Sequence, residues 1–446
     1  MHPRMPKKLI AILVVALLLR LGLLISTGWD TTRAVAPDTP TYMQFAQAIN
    51  NGNLWTYPSA ERTPIYPMFL AIFHLKILPT VLAQIVLSLV TIYLTYYLAI
   101  FYLKNETIGL LAAGLLAVSL ESITHTYYLL TETLFTFLFV ASIAAFSQTR
   151  GRRALIWVAM SAVCMALAIL TRPIALYYPI FMLLFLAWDQ RPWHERLQKI
   201  TLFSVVIILF VGGWMARNAY LIHVPTISTI SAKNFLYYNA ASLEADRTNQ
   251  NENAVRKNLE NQLYETLQTR QLEENQANVI ALQSELAKSI LLSDPLRYGF
   301  IHLKSDINSL LPDTDLLEIL GIHTGQKGTL DYIKQHGLMA GIAYYFDGKF
   351  VALFILLPFI LILCIIYAGS VIAIGKLIQQ RKFYPLAVLS LPIIYGILLP
   401  GSPSNPRFRV PVMPFFAILA AYGLWVLWDW PKSRRNRKTQ EIIPQS

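Results

Sequence analysis

Ten apolar runs, most of them about 17–25 residues long and so close to what a bilayer-crossing helix needs, divide the chain. They fall at about Leu9–Ser26, Pro79–Leu103, Thr107–Ile123, Tyr128–Phe146, Ala154–Leu170, Ile174–Trp188, Thr201–Tyr220, Phe350–Ile374, Tyr384–Leu399 and Pro411–Trp430. Most connections between them are short, and two are long: Gly28–His74 and about Ile222–Phe346. In the first, Pro40–Asn50 places Tyr42, Phe45 and Ile49 at helical spacing, which predicts a short amphipathic helix along the membrane surface. In the second, Glu244–Leu291 is rich in Gln, Asn and Glu. Leu259, Leu263 and Leu267, then Leu282, Leu286 and Ile290, recur there at steps that predict helices with one buried face. Asp294-Pro295 ends that run, because the residue before a proline is forced out of helical geometry.

The expected organisation follows. An N-terminal membrane module (1–221) carries an outer first loop (28–78). A mainly helical extracytoplasmic segment (222–346), C-terminal membrane helices (347–430) and a basic tail (431–446) come after it. The fold class is an all-α integral membrane protein, a polytopic bundle of about ten transmembrane helices.

Composition agrees: 55% of the 446 residues are hydrophobic and 14% charged, against about a quarter charged in soluble domains. The mean hydropathy is +0.47. The net charge of +12 raises nucleic acid as a partner, but its distribution excludes that reading. Arg4, Lys7 and Lys8, then Thr149–Arg153, Asp189–Lys199, Lys376–Lys382 and the tail after Trp430 all fall on one side of a ten-span count. Such a pattern marks cytoplasmic loops, so both termini are expected in the cytoplasm and the chain in the cell (plasma or inner) membrane. The first run lacks a small-x-small cleavage site and reads as a retained span. Arg20 within it is costly unless it faces the bundle interior, and a packing role is expected. Cys164 and Cys364, each inside an apolar run, read as small buried hydrophobes.

The same parity gathers the chemistry on the outer face. The first loop carries Asp38, Glu61 and Arg62, and a loop of that length in such a chain points to function. Glu132, Arg172, Arg217 and the loop holding Arg407 and Arg409 share that face. The sequence has no P-loop, GxGxxG, HExxH or Cys/His metal spacing, so a cytosolic nucleotide donor is not expected. Asp38 is the candidate catalytic carboxylate, although its place before a helix makes capping a rival role. His125 and the tyrosines near it read as interfacial anchors.

These residues also form an ordered set. It comprises Pro37-Asp38 with Tyr42 and Ala46, Glu61-Arg62-Thr63-Pro64-Ile65-Tyr66-Pro67, Thr131-Glu132-Thr133-Leu134, Leu170-Thr171-Arg172-Pro173, Arg217-Asn218 with Pro225 to Ser228, and Arg407-Phe408-Arg409-Val410-Pro411. The set resembles the GT-C class of integral-membrane glycosyltransferases, in particular the bacterial relatives of dolichyl-phosphate-mannose–protein mannosyltransferases. The likeness covers most of the membrane portion and leaves out the Gln/Asn-rich segment. It implies a GT-C-like fold and inverting transfer of a hexosyl or pentosyl group. The donor would be a polyprenyl-phosphate-linked sugar in the membrane lipid, and the acceptor an extracytoplasmic lipid, glycan or protein.

By the same resemblance Asp38 is the general base. Arg62, Arg172, Arg407 and Arg409 would bind the donor phosphate, whose charge grows in the transition state. Tyr42, Glu61, Tyr66, Glu132, Arg217 and Asn218 would support the site or contact substrate. No cofactor is required by the pattern; if a divalent cation is used, Glu61 is the candidate to hold it. One departure stands out, since many relatives carry two adjacent acids where this chain has Asp38 followed by Thr39. The competing classes are a transporter or flippase, and a polymerase or ligase of polyprenyl-linked glycans. A transporter calls for broken or charged helices near the midplane, whereas here the polar residues gather at one face, Arg20 apart.

Overall fold

The computed structural model describes residues 5–322, 329–347 and 349–441, and among these every regular element is helical. In chain order the first elements are α1 (Lys7–Ser26), α2 (Thr39–Asn50), α3 (Ile65–Ile72) and α4 (Ile77–Leu103). There follow α5 (Glu106–Ala117), α6 (Leu120–Thr124), α7 (Glu132–Ser147), α8 (Ala154–Ile169) and α9 (Tyr178–Ala187). Next, α10 (Trp193–Ile207) continues through a π-helical turn into α11 (Gly213–Ile222). The outer segment holds α12 (Ile230–Asn234), α13 (Ala241–Thr248), α14 (Glu252–Thr269), α15 (Gln276–Ser293), α16 (Pro295–Asp306), α17 (Asp315–Ile319), α18 (Thr329–His336) and α19 (Leu338–Phe346). The chain returns through α20 (Phe350–Gln379), α21 (Phe383–Leu398) and α22 (Met413–Glu441).

Five helices are long and apolar enough to cross a membrane: Lys7–Ser26, Ile77–Leu103, Trp193–Ile222, Val351–Gln379 and Pro406–Asp429. Five shorter apolar helices occupy the other predicted span positions. Large apolar side chains point outward from these helices, among them Leu18, Leu209, Phe354 and Val371, as lipid-facing surfaces require. The chain is therefore a polytopic, all-helical integral membrane protein. Small residues set its closest packing. A Cβ added at Gly423 would clash with the Gly369 carbonyl oxygen of α20, so glycine at this crossing lets the two backbones touch.

Arg20 lies inside the bundle and is fully used. Its Nε donates to Ser88 Oγ at 2.9 Å, Nη1 to the carbonyls of Ala16 and Ala117, and Nη2 to Ser122. That placement is a packing role, and it explains how an arginine is tolerated at that depth. Cys164 and Cys364 are unpaired; Cys364 is exposed on α20 rather than buried, because its helix turns that side away from the bundle.

The predicted surface helix is α2, with Tyr42, Phe45 and Ala46 buried. In the outer segment, Leu259, Leu263, Leu267 and Leu282 form a small separate core with Leu236 and Val255. Asp294 does end α15, and its side chain then accepts from the Arg297 amide to cap α16. The basic loops meet at the opposite end of the bundle, where Arg150 lies 3.6 Å from Asp189 and 4.5 Å above the Tyr384 ring. The predicted tail continues α22 to Glu441; its last residues, 442–446, lie outside those described.

Candidate active site

Backbone hydrogen bonds first draw the outer loops together. Leu129 donates to the Ala34 carbonyl at 2.8 Å, and Thr39 Oγ1 to the Leu129 carbonyl at 2.9 Å. Thr39 thus ties the first loop to the turn before α7. Further along, the Ile65 amide donates to the Leu170 carbonyl and Thr63 Oγ1 to that of Thr171. The Thr229 amide, in the outer segment, reaches the Ala60 carbonyl at 3.0 Å. These ties fix where the charged side chains point.

At their centre is one ionic network. Asp38 Oδ1 accepts from Arg62 Nη2 and Asp38 Oδ2 from Arg407 Nη1, each at 2.8 Å. Although it precedes α2, Asp38 makes no capping hydrogen bond with its side chain. Arg62 is held by Thr41 Oγ1 at 2.8 Å and Tyr42 Oη at 3.2 Å, with its guanidinium 4.5 Å above the Tyr42 ring. Glu132 is fully buried, and its Oε1 accepts from both Arg172 Nη1 and Arg407 Nε. Its Oε2 has no hydrogen-bond partner. Arg172 also donates to Thr131 Oγ1 at 3.1 Å, and its guanidinium lies 5.5 Å from the Phe408 ring centre.

Burial works to raise the Asp38 pKa, but the Arg407 and Arg62 guanidiniums outweigh it and hold the carboxyl below its usual range. Asp38 is therefore an ionised acceptor with about a third of its side chain exposed. The charge count matters for what can bind. Arg62, Arg172 and Arg407 face Asp38 and Glu132, which leaves one positive charge in excess. Among the described residues, Nη2 of Arg172 and Nη2 of Arg407 make no hydrogen bond within the protein.

An apolar cleft opens beside this network. Phe135, Phe139, Ile174, Tyr395, Phe408 and Pro411 line it, and Arg172 stands at its polar end. The arrangement can hold an anionic head group against guanidiniums while a hydrocarbon chain runs away between helices.

Other candidate residues lie apart from the network. Arg409 is fully buried: it pairs with Glu121 and donates to the carbonyls of Ser309 and Leu311 and to Tyr367 Oη. Its one unpartnered donor, Nε, is buried away from the surface, so Arg409 is a brace between α6, the outer segment and α20. Arg407 and Arg409, two residues apart on a tight turn, point to different neighbours. Tyr66 is buried too, donating to Gln84 Oε1 at 3.1 Å and meeting the Tyr42 ring edge-on. Gln84 in turn donates to the carbonyls of Thr126 and Tyr128. Arg217 grips the first loop through the carbonyls of Leu54, Tyr57 and Ser59, while Asn218 donates to the Thr226 carbonyl at 2.7 Å. Both are buried positioning residues. Glu61 makes no ion pair with Arg62 and instead lies 4.0 Å from Lys233 Nζ. His125, read as an interfacial anchor, is buried beside Asp313 and Asp315. The two aspartates come from a segment whose sequence offered no signal.

The architecture is that of a GT-C membrane protein. An oligosaccharyltransferase from Archaeoglobus fulgidus, solved in the apo form, superposes on 98% of this chain with a TM-score of 0.50 and 12% identity. The chain spans about half (52%) of that protein's length. Two further similar structures are AglB from the same organism, with an inhibitory peptide and a dolichol-phosphate, and ArnT from Cupriavidus metallidurans bound to undecaprenyl phosphate. Their TM-scores are 0.49 and 0.38, at 12% and 13% identity, over 99% and 94% of this chain and 52% and 76% of theirs. In sequence, residues 65–214 match the family described as dolichyl-phosphate-mannose-protein mannosyltransferase. The chain is thus GT-C-class in fold and mannosyltransferase-like over that stretch. No curated protein matches it. The matched stretch includes Glu132 and Arg172, and ends before Arg217; Asp38, Arg62 and Arg407 lie outside it.

Proposed function

We propose that this chain is an inverting glycosyltransferase that moves a sugar from a polyprenyl-phosphate donor to the hydroxyl of a lipid, glycan or protein acceptor on the extracytoplasmic side. The observation that carries the reading is the junction of the apolar cleft with a guanidinium network that has one charge in excess and contains an ionised carboxylate. A sugar on a polyprenyl phosphodiester has the same shape: a long hydrocarbon tail, a single negative charge, and a reacting carbon just beyond it. The family match over 65–214 supports the same donor class.

In this reading the tail lies in the cleft and the phosphate meets Nη2 of Arg172 and of Arg407. The acceptor heteroatom attacks the anomeric carbon from the face opposite the phosphate. The carbon–oxygen bond to phosphate breaks, and its electron pair leaves with the polyprenyl phosphate. Asp38 takes the acceptor proton. Charge grows on the phosphate as that bond breaks, and fixed guanidiniums stabilise it most at that moment. Tyr42 and Thr41 hold Arg62 in place, and Arg217 holds the loop that carries it.

The test is transfer by the purified full chain in liposomes that contain a polyprenyl-phosphate hexose, with products read by mass spectrometry. Arg407→Ala should abolish product formation. Sugar movement across the bilayer without a new glycosidic bond would favour the flippase class instead and overturn the proposal. Comparing envelope glycolipids and glycoproteins from cells with and without the enzyme would identify the acceptor.

A further inference from the structure

A second cluster sits where the outer segment meets the turn after α6, and the sugar-transfer reading makes no use of it. His125 follows α6, while Asp315 begins the short helix α17 and Asp313 lies two residues before it. One ligand-capable atom from each lies within 4.8 Å of the others. His125 Nδ1 is 3.9 Å from Asp313 Oδ2, and His125 Nε2 is 3.9 Å from Asp315 Oδ2.

The hydrogen bonds around the ring specify its tautomer. His125 Nδ1 is 3.2 Å from the Glu121 carbonyl oxygen, which can only accept, and 3.3 Å from Thr124 Oγ1, whose own proton goes to the Leu120 carbonyl, so Nδ1 carries the proton. That leaves Nε2 as a bare lone pair, and it has no hydrogen-bond partner although the residue is 1% exposed. A ring nitrogen fixed by a backbone carbonyl on its far side is how metal-binding histidines are oriented. Asp313, 4% exposed, is in a similar position: Oδ1 accepts from the Asp315 amide, and Oδ2 has no partner. One cluster thus holds two buried polar atoms, His125 Nε2 and Asp313 Oδ2, that lack a hydrogen-bond partner. Such atoms are costly unless a cation or donor satisfies them.

The geometry points to a divalent-cation site formed by His125 Nε2, Asp313 Oδ2 and Asp315 Oδ2. One imidazole with two carboxylates suits a first-row ion such as Mn2+ or Zn2+ better than Ca2+, which prefers all-oxygen sets. Ligand atoms around a tetrahedral ion are about 3.4 Å apart for bonds near 2.1 Å. Modest side-chain rotations would thus close the cluster onto an ion, with water completing the shell. Asp315, 36% exposed at its side chain, gives the ion a way in. The ion would clamp the outer segment to the turn that leads into Glu132. Arg409 already holds the stretch just before Asp313, through Ser309 and Leu311. The site is separate from Glu61 and does not rest on the proposed reaction.

The test uses the full chain in detergent, stripped with EDTA and re-equilibrated with Mn2+ or Zn2+. Bound metal is counted by mass spectrometry and the melting midpoint followed by tryptophan fluorescence. About one equivalent should bind and raise the midpoint. Asp313→Asn and His125→Gln should each weaken binding by at least about tenfold, while Asp38→Asn should keep the full equivalent. If either ligand variant fails to fold, Asp315→Asn on the exposed side of the cluster serves in its place. Absence of saturable binding by the wild type would overturn the site. So would metal that is retained in the ligand variants but lost in Asp38→Asn, which would assign the ion to the first loop.

Discussion

Replacing Asp38 with Asn separates chemistry from folding better than any other single change in the network. Asparagine keeps the side-chain shape and one oxygen for Arg62 or Arg407, but it cannot take a proton and carries no charge. Asp38 is partly exposed, and each of its two ion pairs is 2.8 Å long. Pairs in such solvent-screened positions contribute about 0.2–1 kcal/mol each, so the folding cost should stay within about 1–2 kcal/mol. A positioned general base contributes roughly 100- to 10,000-fold to rate, which corresponds to about 3–5 kcal/mol of barrier. The two effects differ enough to be told apart. The assay is single-turnover sugar transfer in proteoliposomes, with the melting midpoint of the same preparation alongside. The expected result is a collapse of transfer with the melting midpoint little changed. Transfer at the wild-type rate would refute Asp38 as the base. Loss of both activity and folding would show that the carboxylate holds the outer loops together instead. Glu132→Gln is the control, since taking one member from a fully buried set should cost about 3–5 kcal/mol of stability.

Other outcomes follow from the same contacts. The Asp38 carboxyl is held below the usual value, so its contribution to stability is full above about pH 4 and is lost only as pH falls through the lower folded value. Transfer should therefore show no acidic limb between about pH 5 and 8 from this group. Removing a guanidinium with Arg62→Gln should raise the Asp38 pKa and move the limb upward, which a pH–rate profile would show. Arg409→Ala should destabilise the fold by about 3–5 kcal/mol, because it strands the buried Glu121; Arg407→Ala should cost less than that, because Glu132 keeps Arg172, and should abolish transfer. Melting curves set beside transfer rates check that contrast. A reporter fused near Gln283 should read external and one at the C-terminus cytoplasmic; the reverse would place the whole site on the other side of the membrane.

Much of this was legible because membrane chains write their topology in plain residue types. Apolar run length gave the helices, and the periodic leucines from Leu259 to Leu282 marked a buried face that the outer helices do bury. The convergence of Asp38, Arg62, Glu132, Arg172 and Arg407 was also visible, because span parity puts them on one face. What parity cannot resolve is direction within a turn. Arg407 and Arg409 are equivalent by count, yet they point to opposite neighbours because the tight 3-10 turn at Pro406–Val412 rotates one away from the other. The His125–Asp313–Asp315 cluster was illegible for another reason. Its members lie nearly two hundred positions apart and meet only because Arg409 and Tyr128 anchor the outer segment over the turn.

Asp38 and the lipid phosphate would compete for the same cation, which gives the network a sequence of events. Arg407 donates to both Asp38 and Glu132 through different nitrogens. An arriving phosphate that engages Arg407 draws guanidinium density away from Asp38, and a carboxylate with less cationic support is a stronger base. Donor binding would therefore activate the base only when a donor is present to react. Glu132, fully buried and shared with Arg172, would hold Arg407 in position while the phosphate engages its Nη2.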